Sequence, residues 1–275
     1  MRAILAVALL AACSGNMHDT TTTTPDASTP GPGSGSAIDP NVLQDYNDVA
    51  ATLGMAFHDC QLPAMTSSFD IAYGTVPPGF TEAVPGQIAL GSGAVSATVD
   101  AMAYNVSYEC LSQGSGSGQE IGAVVEPCNG MEDHVRLVVD WAGSDAGSAA
   151  QMTNVSERGV WYIRDLTVPE IAVWLGGNSN TTLTNQLSTG VYSIAYTDAS
   201  DKLAFDPTAP TLPTTGTDAQ MLTVTRTGRA GVADRTFDVV GAFQVLGNGT
   251  AELTLDTQMI YSVALATGAA TETSD

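Results

Sequence analysis

Apolar side chains recur along this chain with two different periods. From Val42 the spacing is three and four, and Val42, Tyr46, Val49, Ala50, Leu53 and Phe57 fall on one face of a helix. Asp39 precedes them as an N-cap, because its carboxylate can accept from the unpaired amides of the first turn. Pro40 takes the first helical position, where a missing N–H costs nothing. The pattern predicts one amphipathic helix of about four turns. Its apolar face needs a sheet to cover.

Beyond the helix the period is two. Phe69, Ile71 and Tyr73 alternate with small or polar neighbours, and Val135, Leu137, Val139 and Trp141 alternate with residues that include Arg136 and Asp140. Met102, Tyr104, Val106, Tyr108 and Cys110 hold the even positions of their segment, while Val95, Ala97 and Val99 precede them on the odd ones. A tight turn near Asp100-Ala101 would make a hairpin of the two. A helix through Val95, Val99, Met102, Val106 and Cys110 satisfies the spacing as well, but β-branched and aromatic residues favour strands. Pro169 to Leu175, "PEIAVWL", fits a short helix or a strand, and a strand is preferred.

Near the end of the chain, Phe237, Val239, Gly241, Phe243 and Val245 share one face, Gly247-Asn248-Gly249 turns the chain, and odd positions from Ala251 to Leu265 continue the face. If Leu246 pairs with Thr250, Val245 faces Ala251, Phe243 faces Leu253 and Phe237 faces Met259, so one register serves every pair. Met221 to Thr227 adds a third strand through "GRAGVAD". A single strand from Thr250 to Leu265 would run about 50 Å and would have to curl or bend. The expected fold is mainly β: an antiparallel meander forming a barrel, half-barrel or sandwich, with one N-terminal amphipathic helix packed on it. It would occupy residues 38–268 as a single domain, with 269–275 as a disordered tail.

Residues 1–12 follow another pattern. Met1-Arg2 supplies one positive charge, Ala3 to Leu10 contains no polar side chain, and Ala11-Ala12-Cys13 follows. A charged start, a short apolar core and small residues at its end describe an export signal, too short to span a bilayer. Leu10-Ala11-Ala12-Cys13 resembles the lipobox of bacterial lipoproteins. The resemblance implies cleavage before Cys13, diacylglycerol on its sulfur and an acyl chain on its amine, and Ser14 at the next position implies sorting to the outer membrane. Two or more acyl chains make a stable anchor where one does not. Ser14 to Ala37, rich in Thr, Pro, Gly and Ser, carries almost no large apolar side chain and is expected to be a disordered tether. Counted with Cys13 it covers residues 13–37, and a flexible coil of that length reaches roughly 27 Å.

Charge narrows the partners. The chain holds 29 acidic and 8 basic residues, a net charge of −21, with Lys202 as its one lysine. Such a surface repels phosphate backbones, so nucleic acid is excluded as a partner, and it offers no basic patch to anionic lipid. No D-x-[DN]-x-[DN]-G loop occurs, and Asp198, Asp201 and Asp206 are merely near one another in sequence. No metal or other cofactor is expected.

With Cys13 acylated, Cys60, Cys110 and Cys128 remain, an odd number for an oxidising compartment. Cys110 with Cys128 is the favoured bridge, since it closes the "SQGSGSGQ" loop and would contribute roughly 3 kcal/mol through loop-closure entropy. Cys60 with Cys128 competes. His58-Asp59-Cys60 suggests a nucleophile or zinc site, yet neighbours on a helix end are not expected to face each other and no paired C-x₂₋₄-C is present. His134 beside Asp133 reads as a solvated strand residue. No nucleophile elbow, zinc-protease helix or phosphate loop is present. No catalytic residue is therefore assigned. The expected function is an exported lipoprotein whose acidic, non-catalytic β-domain binds an envelope partner or apolar ligand or plays a structural role. A half-barrel carrier resembling the Lol proteins or lipocalins would be one form of it. The alternative is a secreted hydrolase with carboxylate or His chemistry.

Overall fold

In the computed structural model the described residues are 38–66, 94–99, 101–111, 124–125, 134–145, 150–164, 171–178, 181–206 and 211–273. The compact unit begins at Asp39. Helix α1 (Pro40–Ala56) starts as expected: Asn41 N donates to the Asp39 carboxylate at 2.7 Å and Leu43 N to its carbonyl at 2.9 Å. Instead of ending at Phe57 the chain makes a π-helical turn, Phe57–Gln61, and stays helical through residue 66. The wider turn re-phases the side chains that follow and buries both Cys60 and Gln61.

The strands are β1 (Ala94–Val99), β2 (Ala101–Leu111), β3 (Val124–Val125), β4 (His134–Asp145), β5 (Ala150–Arg164), β6 (Ile171–Asn178), β7 (Thr181–Leu187), β8 (Gly190–Phe205), β9 (Pro213–Thr227), β10 (Arg235–Val245), β11 (Thr250–Leu255), β12 (Met259–Ala264) and β13 (Ala269–Glu272). They form one sheet, antiparallel throughout, in the order β1-β2-β4-β5-β6-β8-β9-β10-β11-β12-β13, with β3 on β2 and β7 between β5 and β8. Helix α1 touches β5 and β7 as well as β11, β12 and β13, so the sheet curls around it. Phe57 stacks on Phe243 at 4.9 Å, and Leu53, Val49 and Ala50 are buried with Tyr192, Ile194, Leu253 and Val263. Each large side chain so buried contributes roughly 1.5–3 kcal/mol.

Alternation is obeyed at the side chains that are described. Met102, Tyr104 and Val106 are buried while Ala101, Ala103 and Asn105 are exposed, and β1 joins β2 with Val99 opposite Met102. Leu137, Val139 and Trp141 are buried on β4, and Ile171–Asn178 is a strand. Leu246 N donates to Thr250 O at 3.0 Å, with Val245 opposite Ala251 and Phe243 opposite Leu253. The strand expected over Phe69 to Tyr73 lies outside the described residues.

Two expectations fail at the end of the chain. The long strand from Thr250 to Leu265 is a hairpin: β11 stops at Leu255, which pairs with Met259 of β12, and Phe237 pairs with Val224 rather than Met259. Asp256 and Thr257 take left-handed conformations, φ 49° and 58°, to make the turn. Three residues separate Leu255 from Met259, so the odd positions stay on the buried face and the period runs through the turn unbroken. The disordered tail begins too early: Ala269–Glu272 is β13, paired with β12. The link before it passes the helix at backbone distance. A Cβ on Gly54 would stand 2.3 Å from the Gly268 carbonyl oxygen, which explains a glycine mid-helix despite its entropic cost.

Candidate functional site

β6 and β7 share one lane of the sheet. β5 pairs with β7 through residues 150–153 and with β6 through 157–164, while β8 pairs with β7 through 190–196 and with β6 between 200 and 205. Between those ladders β5 and β8 have no strand partner in the lane among the described residues. Asn154 turns left-handed there, φ 56°, and Gly177 comes so near β8 that a Cβ would lie 2.2 Å from the Asp198 carbonyl oxygen.

A cleft of about 430 Å³ opens at the break, lined among others by Asn105, Asp140, Glu157, Arg158, Gly177 and Asp198. Register explains the mixture. Glu157 lies opposite Trp141 and Asp198 opposite Gln220, all on the buried face, whereas Asn105 and Arg158 belong to the exposed outer face. The cleft thus joins the solvent side of the sheet to its interior.

Three carboxyl groups gather behind it. Glu157 is 6 % exposed and lines the cleft. Burial, then the charges of Asp198 and Asp218, hold its pKa well above the usual 4.5. Asp218, 2 % exposed, is pushed up to about 6 by burial, against the pull of hydrogen bonds from Gln220 Nε2 at 2.8 Å and Ser200 Oγ at 3.0 Å. Gln61, turned inward by the π-helical segment, donates to Asp198 Oδ2 at 2.9 Å and to the Tyr196 hydroxyl at 2.8 Å. Burial raises the Tyr196 pKa well above 10, helped by Asp198, Glu157, Asp218 and Cys60 in that order. A carboxyl whose protonated form is favoured by burial therefore stands beside acceptor oxygens at an opening. Among the described residues, no group of three or more His, Cys, Asp or Glu side chains is placed to hold a metal ion.

A second polar cluster fastens the helix. Asp45 Oδ1 lies 2.8 Å from Arg226 Nε, off the hydrogen-bond direction, and 2.9 Å from Arg229 Nη2, while Arg235 Nη1 stands 3.6 Å from Asp45 Oδ2. Asp48 Oδ2 accepts from Tyr192 at 2.6 Å, Thr189 at 2.7 Å and Arg229 at 3.0 Å. Three of the eight basic residues of a chain with net charge −21 thus converge on two helix aspartates. Tyr46 donates to Asp256 at 2.5 Å and Tyr261 to Asn47 at 2.9 Å, which carries the attachment to the β11–β12 turn and β12.

The residues singled out in the sequence fall elsewhere. Cys13 and Cys128 lie outside the described residues, as does the side chain of Cys110. The backbone of β2 pairs Cys110 with Val125, three residues before Cys128, so the loop between them does connect paired strands. Cys60 is buried, 6 % exposed. His58 and Asp59 do meet, against expectation: within the π-helical turn Nδ1 lies 2.5 Å from Oδ1. They border a separate open cleft of about 710 Å³ with Leu212 and Ala266, away from Glu157. The side chain of His134 is outside the described residues. Asp198 is buried while Asp201 and Asp206 are exposed, so the three do not form a site.

No family model, curated protein or solved structure matches this chain. Its function must be read from the residues. Sequence reasoning passed over Glu157 and Asp218 and set Asp198 aside as merely near Asp201 and Asp206, yet a signal existed. Each acid is in phase with an apolar face: Val155, Glu157 and Trp161 on β5, Ile194, Tyr196 and Asp198 on β8, and Asp218, Leu222 and Val224 on β9.

Proposed function

We propose that this chain is an exported lipoprotein, held to the bacterial outer membrane by lipid on Cys13, whose acidic β-domain binds a ligand or envelope partner without catalysing a reaction. The observation that carries the reading is Leu10-Ala11-Ala12-Cys13 at the end of an apolar run, followed by about 24 residues unable to build a core. The geometry supports a binding rather than a carrier role. The concave face that a lipid carrier would keep for its cargo holds α1, and the Asp45, Asp48, Arg226 and Arg229 charges are used to fasten that helix. No helix among the described residues is long and apolar enough to cross a membrane. Labelled palmitate should enter the wild-type protein and not Cys13→Ser; equal labelling of both would refute the anchor.

A second reading is favoured by one observation, the raised Glu157 carboxyl next to Asp198 at an open cleft. A carboxylic acid paired with a carboxylate is what a glycoside hydrolase uses as general acid and base. Under this reading the domain would cleave what it binds.

A further inference from the structure

We propose that the cleft where β6 gives way to β7 binds a neutral, polyhydroxylated ligand, a saccharide, with Glu157 and Asp198 at its inner end and Asn105, Asp140 and Arg158 at its mouth. The inference rests on the binding reading and names the ligand class for it. Its starting point is Glu157: a carboxyl on a side chain only 6 % exposed lines the opening, where a ligand's hydroxyl can take the place of water.

Elimination narrows the ligand. An anion would face Glu157, Asp198 and Asp218 in a chain of net charge −21. A divalent cation needs several oxygen ligands converging on one point, and no such group of side chains is present among the described residues. An apolar ligand would strip water from Asp140, whose side chain is 48 % exposed, and give nothing back. A ligand rich in hydroxyls donates to the carboxylates and accepts from the Glu157 O–H with the same groups.

The mouth has the matching chemistry. Arg158 Nε and Asp140 Oδ1 stand 3.7 Å apart on the outer face, presenting a donor fork beside an acceptor pair. Ser96 Oγ donates to Asn105 Oδ1 at 2.6 Å, an arrangement that directs the Asn105 N–H groups elsewhere. The volume, about 430 Å³, lies within the roughly 300–1,000 Å³ of small-molecule sites. Gly176 lines the opening without a side chain, so a ligand can approach the sheet there.

The test uses full-length Cys13→Ser protein titrated with neutral oligosaccharides, maltotriose and chitotriose, and with calcium chloride and sodium phosphate as charged counterparts, followed by calorimetry and amide chemical shifts. Saturable binding of a neutral oligosaccharide is expected, weakened at least tenfold by Asn105→Ala and by Glu157→Ala and less than threefold by Glu157→Gln. Asn105 is exposed on its strand, so that variant keeps the fold even if Glu157→Ala does not. Affinity unchanged in every variant overturns the site and leaves the binding reading standing. No saturable binding to either oligosaccharide, or calcium binding in the cleft, overturns the ligand class. Cleavage of a bound oligosaccharide upholds the site and overturns the non-catalytic reading.

Discussion

Lowering the pH from 7 to 5 is expected to raise the unfolding temperature of this domain. Burial pushes the pKa of Asp218 up to about 6 from its ordinary 3.8, so between those values the folded state holds a proton that the unfolded chain has lost. Stability from this group is full below pH 3.8 and is lost as pH rises through 6. Glu157 acts in the same sense, because its pKa is also raised. Between pH 7 and pH 5, which span only the upper part of that window, Asp218 alone contributes roughly 1.4 kcal/mol. For a domain of this size that corresponds to roughly 3–6 °C. Asp218→Asn keeps one acceptor oxygen and removes the charge, so it should stabilise the protein at pH 7 and flatten the rise on acidification. Thermal scans at pH 5, 6 and 7 decide the matter. Parallel profiles for wild type and Asp218→Asn would show that Asp218 ionises as freely in the fold as in the unfolded chain.

Asp45→Ala should cost about 3–5 kcal/mol in urea denaturation, the usual penalty for breaking a buried pair and leaving one charge without its partner. Arg226 is 2 % exposed, with Asp45 as its ion-pair partner at 2.8 Å, and water cannot replace the carboxylate there. Asp45→Leu with Arg226→Met should cost less than the sum of the single changes, because both charges leave together. The Arg158–Asp140 pair is the internal control. Its side chains are 73 % and 48 % exposed, so Arg158→Ala should change stability by less than about 1 kcal/mol. Equal effects for Asp45→Ala and Arg158→Ala would remove the basis for treating the inner cluster as the fastening of the helix.

Local pattern made most of the secondary structure legible. The helix start, the β1–β2 hairpin and the β10–β11 register follow from side-chain periods and from capping at Asp39, which are set by residues close in sequence. The Asp256-Thr257 turn was hidden because a three-residue link preserves parity, and alternation is blind to any such link. The site was illegible for a different reason. Asp45 meets Arg226 and Arg229 across some 180 residues, and Gln61 meets Asp198 across 137. The sharing of one lane by β6 and β7 depends on strand order, which no local period encodes. In-phase acids such as Asp198 are the one local trace of that arrangement, since an ionisable side chain on an apolar face must be paired, protonated or in contact with solvent.

A proton-carrying carboxyl at the opening is the premise on which both the saccharide site and the hydrolase alternative depend. The carboxyl carbon of Glu157, followed by NMR across the pH range, reports on it directly. Its midpoint should lie well above 4.5 and should fall when Asp198→Asn or Asp218→Asn removes a neighbouring charge. A midpoint near 4.5, unmoved by either substitution, would contradict the account.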